Sequence, residues 1–125
     1  MSTEFEYLEE KNIVLIRTSG SYELEAEMET LKKAASKLRE HNCNRCIFDH
    51  RETNVIARIM SSFNRPAVYD DLWGDRSVYA ALVFRELNED LEFYETVCRN
   101  RCWNVRIFND YDAAIDWLSE SGNFF

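Results

Sequence analysis

Asn104-Val105-Arg106-Ile107-Phe108 runs straight into Asn109-Asp110-Tyr111-Asp112 and on into Ala113-Ala114-Ile115-Asp116-Trp117-Leu118. Val105 and Ile107 alternate with polar Arg106, the period of a strand covered on one face. Tyr111, Ala114, Ile115 and Leu118 fall at i, i+3, i+4 and i+7, one face of a helix. Asn109 is placed to cap that helix, with Asp112 three residues on to reciprocate and to favour the positive helix end. A strand that turns within two residues into an amphipathic helix is half of a βαβ unit, so the chain reads as α/β.

The same periods extend the pattern towards the N-terminus. Leu87, Leu91, Tyr94, Val97 and Cys98 mark a helix, and Val78 to Phe84 is a nearly continuous apolar run, as a central parallel strand shows. Ala67 to Arg76 is the least regular stretch, with Tyr69, Leu72 and Trp73 set among Asp70, Asp71 and Asp75. Ile56, Ile59, Met60 and Phe63 form another helical stripe, stopped by Pro66. Cys46 to Asp49 is a short strand of buried type. Leu24, Met28, Leu31, Ala35 and Leu38 predict a helix that Ser21 can cap, with Glu23, Glu25, Glu27 and Glu29 early and Lys32, Lys33, Lys37 and Arg39 late, sorted to match its dipole. Strands near Thr3 to Leu8 and Ile13 to Thr18 flank a polar turn as a hairpin, with Gly20 and Ser21 ending the second. The order is β-β-α-β-α-β-α-β-α. It predicts one mixed sheet of about five strands, an antiparallel hairpin strand, right-handed crossovers and about four helices packed against the sheet.

Composition narrows the class. At 125 residues the chain is one domain with enough apolar residues, 46%, to bury a core unaided. Three glycines and one proline leave no linker-like segment. Fifteen Lys and Arg against 23 Asp and Glu give a net charge of −8, which repels nucleic-acid backbones. Ser77 to Phe84, the longest uncharged stretch near the middle, is far short of the roughly 20 residues a membrane span needs. The start, Met1-Ser2-Thr3-Glu4, lacks a basic and an apolar leader region, which predicts a cytoplasmic address. Its four cysteines are then expected as reduced thiols or metal ligands.

The hairpin with Gly20, the strand ending in Asp49-His50-Arg51, Tyr79-Ala80-Ala81-Leu82-Val83, and the closing strand and helix together resemble the SpoIIAA-like family of STAS domains, in the branch with lipid-transfer-protein kinship. The resemblance covers nearly the whole chain and implies a SpoIIAA-like fold and, as in many members, a non-catalytic role. Some members bind a partner protein under a phosphorylation switch; others hold small apolar or nucleotide ligands. Switch members follow the strand-ending Asp closely with serines. Here Asp49 is followed by His50-Arg51-Glu52, and the nearest hydroxyl is Thr53, whose phosphate Glu52 would oppose. Thr53 reads more simply as the cap of a helix beginning near Val55.

Open α/β sheets bind ligands beyond the carboxyl ends of their strands. That edge should carry Asp49, His50 and Arg51 after the third strand, Arg85 after the fourth and Asn109 after the fifth, a set able to hold a carboxylate or phosphate. The competing reading pairs Arg51 and Arg85 with Asp49, Glu52 or Glu86 and leaves them as loop supports. Cys43-x2-Cys46 and Cys98-x3-Cys102 have the spacing of zinc ligands, but Cys46 opens a buried strand and Cys98 sits on a core-facing stripe, where cysteine acts as a small hydrophobe. His50 beside Asp49 is the one acid–base candidate, yet neighbours in a strand point to opposite faces. No phosphate loop, nucleophile elbow or metalloprotease motif is present, so no enzyme and no cofactor is expected. Tyr69, Leu72 and Trp73, with Phe124-Phe125, either close the core as a lid or form an apolar patch for self-association or a ligand. The favoured expectation is a module that binds a protein partner or itself. The second is a carrier or sensor of a small apolar or anionic ligand, which requires a cavity lined by Met60, Phe63, Tyr69 and Trp73.

Overall fold

The computed structural model of the chain describes residues 1–54, 70, 71, 73 and 77–120. These form β1 (Ser2–Leu8), β2 (Ile13–Ser21), α1 (Leu24–Glu40), β3 (Arg45–Asn54), β4 (Tyr79–Val83), α2 (Glu89–Asn100), β5 (Asn104–Phe108) and α3 (Tyr111–Glu120). The strands lie in the order β1-β2-β3-β4-β5 in one mixed sheet. β1 pairs antiparallel with β2, from Ser2↔Ser19 to Leu8↔Ile13, and the other neighbours are parallel. The α/β class and the five-stranded sheet expected from the sequence are therefore present. Three helices fall among the described residues, against about four expected. The remaining stripe, Ile56 to Phe63 with its stop at Pro66, lies outside them, as do Tyr69, Leu72 and Phe124-Phe125. No helix among the described residues is long and apolar enough to cross a membrane.

Alternation along each strand divides the core into two layers. Val14, Ile16, Cys46, Phe48, Ala80, Leu82 and Val105 meet Leu31, Ala34 and Leu38 of α1 and Leu91, Tyr94 and Cys98 of α2 on one face. Ile13, Leu15, Ile47, Ala81 and Val83 meet Ala114, Ile115 and Leu118 of α3 on the other. The crossovers through α1 and α2 share a face, as same-handed crossovers stepping one way along a sheet must. β3, second neighbour to both edges, is buried without a break from Arg45 to His50, the signature of a central strand.

Several local details depart from the sequence reading. β2 does not stop at Gly20: a register shift between Arg17 and Ser19, with Gly20 at φ +92°, lets pairing continue as Gly20↔Thr53 and Ser21↔Asn54. Ser21 is thus a strand residue and does not cap α1, whose N-cap is Glu23, with no side-chain capping bond. β3 likewise runs five residues past Asp49. Thr53 lies inside that strand with its hydroxyl turned to Thr18; the helix near Val55 that it was expected to cap lies outside the described residues. Asn109 is not the cap of α3. The helix begins at Tyr111, one residue later than the spacing suggested, so Asp110 takes the role and accepts from Asp112 N at 2.9 Å and Ala113 N at 3.4 Å. Asn88, not singled out in the sequence, caps α2 by accepting from Leu91 N at 2.9 Å.

Two polar side chains that periodicity could not have flagged hold the frame. Arg45, 8% exposed, donates to Leu118 O at 3.1 Å and Lys11 O at 2.7 Å, tying the last turn of α3 to the hairpin loop. Glu95 of α2 accepts from Ile107 N at 2.7 Å. It thereby occupies a backbone donor on the edge strand β5, which blunts pairing with another chain.

Candidate functional site

At the carboxyl ends of β3 and β4 the chain leaves an open cleft of about 670 Å³, within the size range of small-molecule sites. One wall is β3, from His50 to Asn54, with Ser21 and Tyr22 beside it; the other is Phe84, Arg85 and Glu86 after β4, then Asn88 and Leu91 at the start of α2. Of the site residues expected at this edge, His50, Arg51 and Arg85 line the cleft. Asp49 and Asn109 are not among the described residues that line it, and Trp73 sits elsewhere.

Strand alternation sends Asp49 and His50 to opposite faces, so they form no acid–base pair. Asp49, 3% exposed, faces the α3 side. Its carboxylate accepts from Arg51 Nε and Nη2, both at 2.9 Å, from Arg51 N at 3.1 Å and from Arg17 Nε at 3.5 Å. Burial works to raise its pKa, but the Arg51 bonds and charge, with Arg17, hold it below the ordinary carboxylate value. The Arg51 guanidinium in turn lies 5.0 Å from the centroid of the Tyr111 ring. Arg85 pairs with Glu52 at 3.2 Å, in solvent. Both arginines therefore have carboxylate partners, as the loop-support reading expected, and the cleft coexists with that pairing.

His50 is 2% exposed and belongs to the α1/α2 face, between Phe48 (ring centroids 6.1 Å apart) and Phe84 (5.3 Å). Its Nδ1 lies 2.6 Å from Thr18 Oγ1, which lies 2.6 Å from Thr53 Oγ1. Thr18 has one proton to give. Thr53 Oγ1 and the Asp49 carbonyl, the latter at 3.5 Å, are its other acceptors. Nε2 of the imidazole is buried and has no hydrogen-bond partner among the described residues. Burial pushes the His50 pKa down to about 4, against the pull of the Asp49 charge, so the ring is neutral at pH 7. The sequence reading missed the bond between Thr18 and His50 Nδ1, which joins residues 32 apart in the chain and which no local period signals. Thr18→Val keeps the shape but strands both Nδ1 and the Thr53 hydroxyl; we expect it to cost about 2–3 kcal/mol in chemical unfolding, and an unchanged midpoint would contradict the chain of bonds.

Thr53 is 9% exposed with its hydroxyl engaged, a poor acceptor for a phosphoryl group. Cys43, Cys46 and Cys98 are buried in one apolar cluster, and Cys102 is exposed. Burial raises the pKa of Cys43 and Cys46, opposing the thiolate form that zinc needs. Among the described residues no group of three or more His, Cys, Asp or Glu is arranged to hold a metal ion. Trp73 lies half-buried on the α1/α2 core, 6.2 Å from Phe48 in a stacked arrangement, and donates to Leu31 O at 3.5 Å. That is the position of a core-closing side chain. The remaining residues of the cavity expected around it, Met60, Phe63 and Tyr69, are outside the described part of the chain.

No family model matches the chain, and no curated protein matches it.

Proposed function

We propose that the chain is a non-catalytic, STAS-type binding module of the cytoplasm whose recognition surface is the carboxyl edge of its sheet. The observation that carries this reading is the cleft at that edge, lined by His50, Arg51, Thr53, Phe84 and Arg85. The separation of Asp49 from His50 supports binding over catalysis. The same observation favours a small ligand, a carrier or sensor role, over protein contact.

Protein contact or self-association is the second reading, supported by Phe93 (60% exposed) and Leu87 (41% exposed), bare apolar side chains in and just before α2. The two are separated by titrating isotope-labelled protein with benzyl alcohol, acetate and inorganic phosphate while following amide resonances. Shifts confined to Ser21, Thr53, Asn54, Phe84 and Asn88 are expected. A dimer in light scattering that Phe93→Glu breaks, with no probe shifting the cleft, would replace the first reading by the second.

A further inference from the structure

We infer that the cleft takes a short, positively charged peptide in extended conformation, which adds as a strand to the uncovered edge of β3 from Glu52 to Asn54. The inference rests on the small-ligand reading above and names the chemical class of that ligand.

Two ladders of unequal length leave this edge. β3 pairs with β4 only as far as Asp49↔Val83, yet β3 itself continues to Asn54, held on its other side by Ser19↔Glu52, Gly20↔Thr53 and Ser21↔Asn54. The β3–β4 ladder ends where a bulge in β3 begins, His50 and Arg51 together standing opposite Thr18 between Arg17↔Asp49 and Ser19↔Glu52. Beyond Val83 the neighbouring chain turns the other way, Phe84 N donating to Phe108 O at 2.9 Å. Arg51 N is spent on the Asp49 carboxylate at 3.1 Å, so the open edge starts at Glu52. From there to Asn54 the strand has a neighbour in β2 and, among the described residues, none on the cleft side.

Such an edge is a row of main-chain donors and acceptors with a fixed spacing. The group that matches that spacing is another extended backbone, the basis of recognition by strand addition. Size agrees: four strand residues within a sheet fill roughly 630 Å³, at about 3.3 Å of rise, 4.8 Å between strands and 10 Å between layers, and the cleft measures about 670 Å³. Charge selects the side chains. Arg51 and Arg85 are matched by Asp49 and Glu52, while Glu86 on the rim has no ion pair among the described residues and Glu89, Asp90 and Glu92 occupy the first turn of α2 beside it. Lysines on the peptide meet that surplus, and glutamates are repelled by it.

Four blocked tetrapeptides test this by NMR titration at pH 7 and low salt: acetyl-Lys-Val-Lys-Val-amide, its acidic twin acetyl-Glu-Val-Glu-Val-amide, and the basic peptide N-methylated either at both lysines or at both valines. Ladder bonds use alternate residues, so one methylated form loses the donors that face β3 and the other keeps them. The basic peptide is expected to bind in about the millimolar range and to shift the Glu52, Thr53 and Asn54 amides. It should bind about tenfold tighter than its acidic twin and lose about tenfold or more in one methylated form only. Equal binding by the two methylated forms, whether as tight as the parent or equally weakened, would overturn strand addition. An acidic twin that binds as tightly as the basic peptide would overturn the charge selection, and peptide shifts confined to the edge strand β1 would overturn the cleft as the site. If benzyl alcohol, acetate or phosphate shifts the cleft amides and no peptide does, the peptide inference falls and the small-ligand reading stands; if nothing shifts them, both fall.

Discussion

Trp103→Ala should cost about 3–5 kcal/mol, the largest loss expected of any single truncation in the described core. Trp103 is 2% exposed in the layer between the sheet and α2, directly before β5. Its indole donates to Asp70 Oδ1 at 3.0 Å and stands edge-on to Trp73, ring centroids 6.2 Å apart at 83°. Truncation removes the apolar burial, opens a cavity where α2 turns into β5, and forfeits an aromatic pair contributing about 0.5–1.5 kcal/mol beyond its area. Against a typical domain stability of about 5–15 kcal/mol, that is enough to leave much of the protein unfolded at physiological temperature. Trp103→Phe keeps most of the volume and should lose far less. Urea unfolding of the two variants checks this; a loss under about 1 kcal/mol for Trp103→Ala would mean that the indole is not part of the packed core.

The second large effect is a loss of stability in weak acid that traces to one imidazole. In the unfolded chain His50 takes up a proton near 6.5, and in the folded protein not until about 4. Between those values the unfolded state binds more protons. Stability is therefore full above about pH 6.5, falls as pH drops towards 4, and loses nothing further from this group below that. The difference amounts to about 3 kcal/mol. Asp49 acts in a lower window: its folded pKa lies below the ordinary 3.8, so its contribution is present above that value and is lost as pH falls beneath it. Unfolding free energies of the wild type and His50→Phe between pH 7 and pH 4 should converge or cross, with the slope much flatter in the variant. Parallel profiles would show that His50 ionises in the folded protein as readily as in the unfolded one.

Where the sequence reading succeeded, the deciding interactions were local. β5 and α3 were legible because Val105, Ala114, Ile115 and Leu118 report their burial by period alone, and the hairpin because its turn is polar between two apolar runs. Where it failed, tertiary context decided. Gly20 read as a stop because glycine usually ends a strand, but here a positive φ accommodates a bulge and the ladder continues to Ser21↔Asn54. Thr53 read only through its sequence neighbours, whereas in β3 its hydroxyl meets that of Thr18 from β2. At the candidate site, the sequence placed His50, Arg51 and Arg85 at the correct edge from topology. It named Asp49, Glu52 or Glu86 as partners of Arg51 and Arg85 but could not say which acid would meet which arginine. Nor could it show that Nε2 would be left unpaired, which depends on a packing contact between strands.

The account turns on an uncharged imidazole buried between Phe48 and Phe84 and joined through Nδ1 to Thr18 and Thr53. A long-range proton–nitrogen correlation spectrum of the histidine rings at about pH 6 reads this directly. A neutral His50 ring is the predicted result; an imidazolium at that pH would contradict it.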